Sequence, residues 1–314
     1  MNKAFSKLLP ILTCPICHKN LKLINKNFVC TGNHKFSVKS YVPVFTKLND
    51  YLEIESNAWE EEWKSKISKK ALKAYDINMA VFKSLGYWEE SGNASNLIPS
   101  KKDNIVLDLG CGNGVSTSKL KATQAVGLDL STKQLVKSKN KYPNCSFIVG
   151  DARKLPFKDS SFDMVVAINM LHHVKNPQVV IKECYRVLKS GGRLLTVDPN
   201  LYNPIGFIGR GMYKLLRLKK IFPTFPQFAL GEDEYQFSKK NYYNLFTKSP
   251  FKNFTIRPHR LERIFFFASI LIPSLIMFPF YKNIIYILSR MGEGLVKIPP
   301  LDNICYFWKC EAIR

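Results

Sequence analysis

Acidic residues are scarce in this chain of 314 residues: 24 Asp and Glu stand against 47 Lys and Arg, a formal net charge of +23. A field of that sign draws nucleic acid, anionic lipid headgroups or acidic substrates. Much of the excess is Lys scattered in pairs, such as Lys69-Lys70 and Lys239-Lys240, which equally describes a solvated surface. A disulfide framework is also lacking. Of eight cysteines, three cluster with a histidine near the N-terminus and the rest are dispersed, which points to a reducing compartment and one metal site. The opening MNKAFSKLLPILT lacks a full apolar core and runs straight into CPIC, so it does not read as a signal peptide. No internal repeat is visible. A hydrophobic fraction of 46% argues against disorder, and the length suits two domains or one with additions.

Two nucleotide signatures are missing as well. No G-x-x-x-x-G-K-[ST] occurs, which argues against a P-loop nucleotide triphosphatase. The one glycine-rich turn, VLDLGCGNG, places Gly110, Gly112 and Gly114 as G-x-G-x-G; a dinucleotide fingerprint would need its third glycine at Val115.

What is present begins with Cys14, Cys17, Cys30 and His34, spaced C-x2-C and C-x3-H. Two short turns then offer two pairs of borderline-soft ligands to a tetrahedral zinc ion, with LKLI and FVC as a hairpin between them. His18, beside Cys17, is a further candidate ligand. A segment this short buries little core, so a structural metal makes physical sense. Residues 1–48 form this unit. Residues 49–100 read as a helical linker and cofactor cap, where Trp59, Trp63, Tyr75 and Phe82 either cap a ligand or fill a core.

From residue 101 onward apolar strands alternate with amphipathic helices. NIVLDL, AVGLDLS, CSFIVGDA, FDMVVAIN and GRLLTVDPN are strands; VSTSKLKA and NPQVVIKECYRVL are helices, the second closed by Lys189-Ser190-Gly191-Gly192. That order implies an α/β, doubly wound, mostly parallel sheet whose ligand lies beyond the C-terminal strand ends. Asp108, Asp129, Asp151 and Asn169 all fall there. FKNFTIRPHR and NICYFWKCEAIR read as the sixth and seventh strands of a seven-stranded sheet.

The motifs VLDLGCGNG, VGLDLS, GDARKLPFKDSSFDMVVAINMLHH and RVLKSGGRLLTVDP together resemble the class I, Rossmann-like, S-adenosylmethionine-dependent methyltransferases, above all the ubiquinone/menaquinone subfamily. The N-terminal unit resembles the zinc ribbons of methyltransferase activators, with Ser40-Tyr41 in place of their usual Asp-Gly, and the finger of the rRNA guanine-N1 methyltransferases. The resemblance implies S-adenosylmethionine as cofactor. It implies that Gly110, Cys111, Gly112, Asn113 and Gly114 bring backbone close to it and that Asp108 orients the methionine amine. Asp129, with Leu130, would take the ribose hydroxyls, Asp151 and Ala152 the adenine, and Asn169 the methyl-donor end. His172 and His173 follow the fourth strand, where one of them is either a general base or a satisfied loop histidine.

Helical insertions are expected at about 200–250 and 260–300. The second carries IFFFASILIPSLIMFPF, residues 264–280, seventeen residues without a charge. It reads as a transmembrane span, as a buried lid or dimer face, or as a broken helical hairpin dipping into one leaflet. Arg260, Arg263, Lys282, Arg290 and Lys297 flank it and favour the leaflet reading. The expected protein is then a cytoplasmic enzyme resting on the inner face of an anionic membrane and methylating a lipid, lipid-linked glycan or quinone-like acceptor. The alternatives are an rRNA or tRNA base methyltransferase using its ribbon and basic surface, and a non-enzymatic scaffold that binds the cofactor. The oligomeric state stays open.

Overall fold

The computed structural model describes residues 3–46, 104–202, 237–259, 298, 305 and 307–314. The helical linker, most of the two insertions and the apolar run lie outside these residues.

An N-terminal helix α1 (Lys3–Leu8) leads through a 3-10 turn into a meander of four antiparallel strands. These are β1 (Leu21–Ile24), β2 (Asn27–Cys30), β3 (Lys35–Lys39) and β4 (Val42–Val44). The tight turns fall at Asn25-Lys26 and Ser40-Tyr41, all four with positive φ, as two-residue hairpin turns require. Phe28, Phe36 and Phe45 stack beneath the meander and pack with Phe5 of α1.

The second part follows the expected α/β alternation. Its elements are β5 (Ile105–Leu109), α2 (Val115–Lys119), β6 (Gln124–Asp129), α3 (Thr132–Lys141), β7 (Ser146–Val149) and β8 (Phe162–Ile168). After them come α4 (Pro177–Val187), β9 (Leu188–Pro199), α5 (Lys239–Thr247), β10 (Asn253–His259) and β11 (Phe307–Ile313). The strands stand in the order β7-β6-β5-β8-β9-β11-β10; the first five are parallel, and β11 runs antiparallel to both β9 and β10. Strand order reverses between β5 and β8, so a crevice opens at their C-terminal ends. The central strands are buried on both faces, which is why they read as continuous apolar runs.

The meander does not stand apart. β4 runs parallel to β7 through the pair Val44–Val149, and the Phe45 N–H donates to Val149 O at 2.8 Å, so the described strands form one sheet of eleven. Further stitches hold it there: Ser146 Oγ donates to Ala4 O (2.9 Å), Thr13 N–H to Pro156 O (3.0 Å) and Lys158 Nζ to Pro10 O (2.8 Å).

One expected boundary moves. Lys189–Gly192 does not close α4 but lies inside β9, with a register shift against β8 between Phe162 and Met164. The physical reason is a partner for the extended backbone: Gly191 N–H donates to Arg314 O (2.9 Å), and Arg314 N–H to Gly192 O (3.0 Å). The guanidinium of Arg314 also bonds Leu188 O and Arg186 O and lies over the Tyr185 ring.

Candidate functional site

The turn between β5 and α2 is shaped by its glycines. Gly110, Gly112 and Gly114 all have positive φ. At Gly110 any side chain would be strained by the positive φ and would force Met170 aside, because a Cβ would lie 2.5 Å from Met170 Cγ. The N–H groups of Gly110 and Cys111 donate to Leu128 O on β6 (2.8 and 3.2 Å), which presses the turn against the neighbouring strand. Asn113 Oδ1 accepts from the Val115 N–H at 3.3 Å, and the Cys111 thiol is buried.

Two carboxylates flank this turn. Asp108, at the end of β5, is buried and accepts from Thr117 Oγ1 at 2.7 Å. Burial raises its pKa to about 7, against the lowering effect of Thr117 and with a further push from Asp129. Asp129, at the end of β6, accepts from the Gly112 N–H (Oδ2, 2.9 Å) and the Ser131 N–H (Oδ1, 2.9 Å), and it is half-buried beside half-buried Leu130. Its carboxylate is therefore aimed by backbone on both sides, across the turn that begins α3. Asp151, beyond β7, grips the exposed Arg153 side chain (Nη2–Oδ2 2.6 Å) next to buried Ala152. Thus the expected residues Asp108, Asp129 and Asp151 do line successive strand ends, each two residues beyond the partner of the one before, since Asp108 pairs with Gly127 and Asp129 with Val149.

Across the switch point, Asn169 ends β8 in the left-handed region (φ 53) and its N–H donates to Val197 O at 2.8 Å. Its buried Oδ1 finds no donor among the described residues. His172, in the short 3-10 turn that follows, is buried, and its Nδ1 lies 2.9 Å from Oδ1 of Asp198, at the end of β9. The His172 N–H donates to the same oxygen at 3.2 Å. A carboxylate only accepts, so an ionised Asp198 places the proton on Nδ1. His173 sits 4.0 Å ring to ring from His172 and reaches solvent; desolvation by surrounding protein and then the neighbouring His172 lower its pKa, so it is neutral at pH 7. Of the two candidate bases, His172 is the one held by a carboxylate. Asp198 itself was missed at the level of sequence. It sits in an apolar strand, and the only cue was its place at a strand end.

At the N-terminus, Cys14, Cys17, Cys30 and His34 converge, every ligand atom within 4.8 Å of the others. Cys14 Sγ and Cys30 Sγ lie 3.5 and 3.4 Å from His34 Nδ1, and Cys17 Sγ lies 3.6 Å from Cys30 Sγ. A zinc tetrahedron with bonds of about 2.3 Å has edges of roughly 3.8 Å, so the four atoms fit that ion. Room for it is kept by Gly32, where a Cβ would approach Cys17 Sγ to 3.3 Å and Cys30 Sγ to 3.6 Å. Burial pushes the Cys14 thiol up to about 11. For Cys30 burial is outweighed by the His34 and Gly32 N–H groups and by Cys17 and His34, which bring it to about 6. His18, the further candidate, is not part of the cluster.

The sheet order, the glycine turn and the aspartates at successive strand ends define a class I methyltransferase fold, Rossmann-like, with a mostly parallel core. Residues 107–196 match the family described as "Methyltransferase domain". The chain is 32% identical over 161 residues to the demethylmenaquinone methyltransferase of Staphylococcus aureus, covering 48% of this chain and 66% of that one. It is 37% identical over 123 residues to the chloroplastic 2-methyl-6-phytyl-1,4-hydroquinone methyltransferase of Arabidopsis thaliana, covering 36% of each. In fold it is similar to the structure titled as a complex between the Haloferax volcanii Trm112 methyltransferase activator and a methyltransferase. That match has a TM-score of 0.51 and 17% identity, over 83% of this chain and 96% of that one. The first curated relatives are spanned over about half their length, from 36% to 57%.

Proposed function

We propose that this chain is an S-adenosylmethionine-dependent methyltransferase whose acceptor is a quinol-like or other lipid molecule held at a membrane. The observation that carries the methyl-donor reading is the placing of Asp108 and Asp129 around a turn in which three of five residues are glycines with positive φ. S-adenosylmethionine, when bound, supplies a methyl group on a sulfonium already activated for displacement. The chain's own task is then proximity, alignment and exclusion of water. Asp108 holds the methionine amine and Asp129 the ribose hydroxyls, while Asp151 and Ala152 border the adenine. Gly110 to Gly114 bring backbone against the donor, and Asn169 Oδ1 faces the end from which the methyl group leaves.

The acceptor reading is supported by two relatives whose names specify a demethylmenaquinone and a phytyl hydroquinone. It is supported as well by the charge-free run at 264–280 and the cations around it. Among the described residues no helix is long and apolar enough to cross a membrane. Docking from the cytoplasmic side is part of the same proposal. The Cys14, Cys17, Cys30 and His34 cluster would hold a structural zinc: four protein ligands leave no open position for chemistry.

The test uses methyl-labelled donor, purified protein and extract of the source cell, followed by separation of organic-solvent, RNA and protein fractions. Label in the organic fraction is expected. Label in RNA instead would overturn the lipid reading in favour of a base methyltransferase.

A further inference from the structure

Buried hydrogen-bonding groups in folded proteins are nearly always paired, and a buried carboxylate oxygen without a donor is costly. Asp198 is fully buried, yet it uses one oxygen only. Oδ1 takes both the His172 ring and the His172 N–H, while Oδ2 has no donor among the described residues. The polar groups around it are committed elsewhere. Tyr242 OH pairs with Thr196 Oγ1 at 2.5 Å, Trp308 Nε1 donates to Phe237 O at 3.1 Å, and Asn200 Nδ2 donates to Cys305 O at 2.9 Å. On the adjoining strand end Asn169 Oδ1 is likewise unpaired. Two unused acceptors thus sit at the C-terminal ends of the neighbouring strands β8 and β9, the end of the sheet at which ligands bind in open α/β folds.

We infer that Asp198 Oδ2 is the binding point for a hydroxyl of the methyl acceptor and takes its proton, with His172 as the positioning residue behind it. This rests on the proposed function and narrows its substrate class to acceptors that donate a hydrogen bond there, such as a quinol and not its ether. The step balances. The acceptor O–H bond breaks and its proton goes to Oδ2. The electron pair left on the acceptor, on oxygen or delocalised onto the adjoining ring carbon, forms the bond to the methyl carbon, and the pair of the old carbon–sulfur bond stays on sulfur, neutralising the sulfonium. Where ring carbon is the site, its C–H bond then breaks, the proton goes to water and the bonding pair restores the aromatic ring. His172 Nδ1–H stays on Oδ1 throughout and fixes the carboxylate plane.

Asp198→Asn tests this. It keeps an acceptor for His172 and turns the unpaired acceptor into a donor. With S-adenosylhomocysteine present and air excluded, calorimetry compares 1,4-naphthalenediol with 1,4-dimethoxynaphthalene. Tenfold or greater preference of the unsubstituted protein for the diol is expected, falling below twofold in Asp198→Asn, while S-adenosylhomocysteine affinity and thermal midpoint are kept. Methyl transfer to a short-prenyl naphthoquinol is followed alongside: kcat should fall at least a hundredfold, with KM for the donor unchanged and the acid limb of the pH profile lost. His172→Gln should keep the diol preference but shift that limb. If the unsubstituted protein methylates the quinol without preferring the diol, or Asp198→Asn leaves preference and profile intact, the role of Asp198 is overturned and the function stands. If it neither binds nor methylates the quinol, both fall.

Discussion

Thr117 Oγ1 donates a 2.7 Å hydrogen bond to Asp108 Oδ2, and both side chains are buried. This bond restrains a carboxyl whose pKa burial has already raised from 3.8 to about 7. An acid raised on folding contributes stability that is full below its unfolded value, here about pH 4, and is lost as pH climbs through about 7.

In the proposed site, binding of the methyl donor would need the opposite state, an ionised Asp108 facing the methionine amine. Donor affinity should therefore fall as pH drops below about 7, by up to about tenfold per unit, with a proton released on binding. Calorimetry between pH 6 and 8 in buffers of different ionisation enthalpy measures both. Thr117→Val should move the midpoint upward, since its hydroxyl is the group that lowers this pKa.

Asp129→Ala should reduce donor binding by at least about a hundredfold, as two charge-assisted hydrogen bonds to hydroxyls are worth about 1.5–3 kcal/mol each. The same change frees the Gly112 and Ser131 N–H groups, so the turn should exchange its amides faster. Unchanged calorimetric binding would remove Asp129 from the site.

Gly110→Ala should destabilise the fold by about 2–4 kcal/mol, combining left-handed strain with overpacking against Met170. Adding Met170→Ala should recover the share of the packing cost due to the Met170 Cγ contact at 2.5 Å, but neither the 2.9 Å contact with the Cβ that alanine keeps nor the backbone part. Thermal melts of the two variants separate the contributions.

One zinc per chain is expected by elemental mass spectrometry, and Cys30→Ser should abolish it. Chelation should lower the thermal midpoint and loosen the Phe45–Val149 hydrogen bond first, since that bond lies just downstream of the meander the metal holds.

Much of the parallel core was legible because its signals are local. Asp108 and Asp129 end apolar runs, and the glycines between them leave few conformational choices. The four metal-binding candidates were legible for the same reason, as two short spacings. Joining Val44 to Val149 was not, because a lone backbone pair between strands more than a hundred residues apart leaves no periodic trace. Asp198 was hidden by its setting: its strand is buried continuously from Leu194 to Asp198, and its partner His172 lies 26 residues away. Gly191 and Gly192 looked like a helix stop, yet pairing with Arg314 made them strand.

The Val44–Val149 junction also bears on self-association. Without the meander, β7 would be an outer strand, buried along its length in the full sheet and presenting unpaired backbone to any neighbouring chain. The N-terminal strands thus act as a covalent end-cap. A shortened chain that begins after them would keep the crevice between β5 and β8 but gain an adhesive border, and would be expected to stack edge to edge in solution.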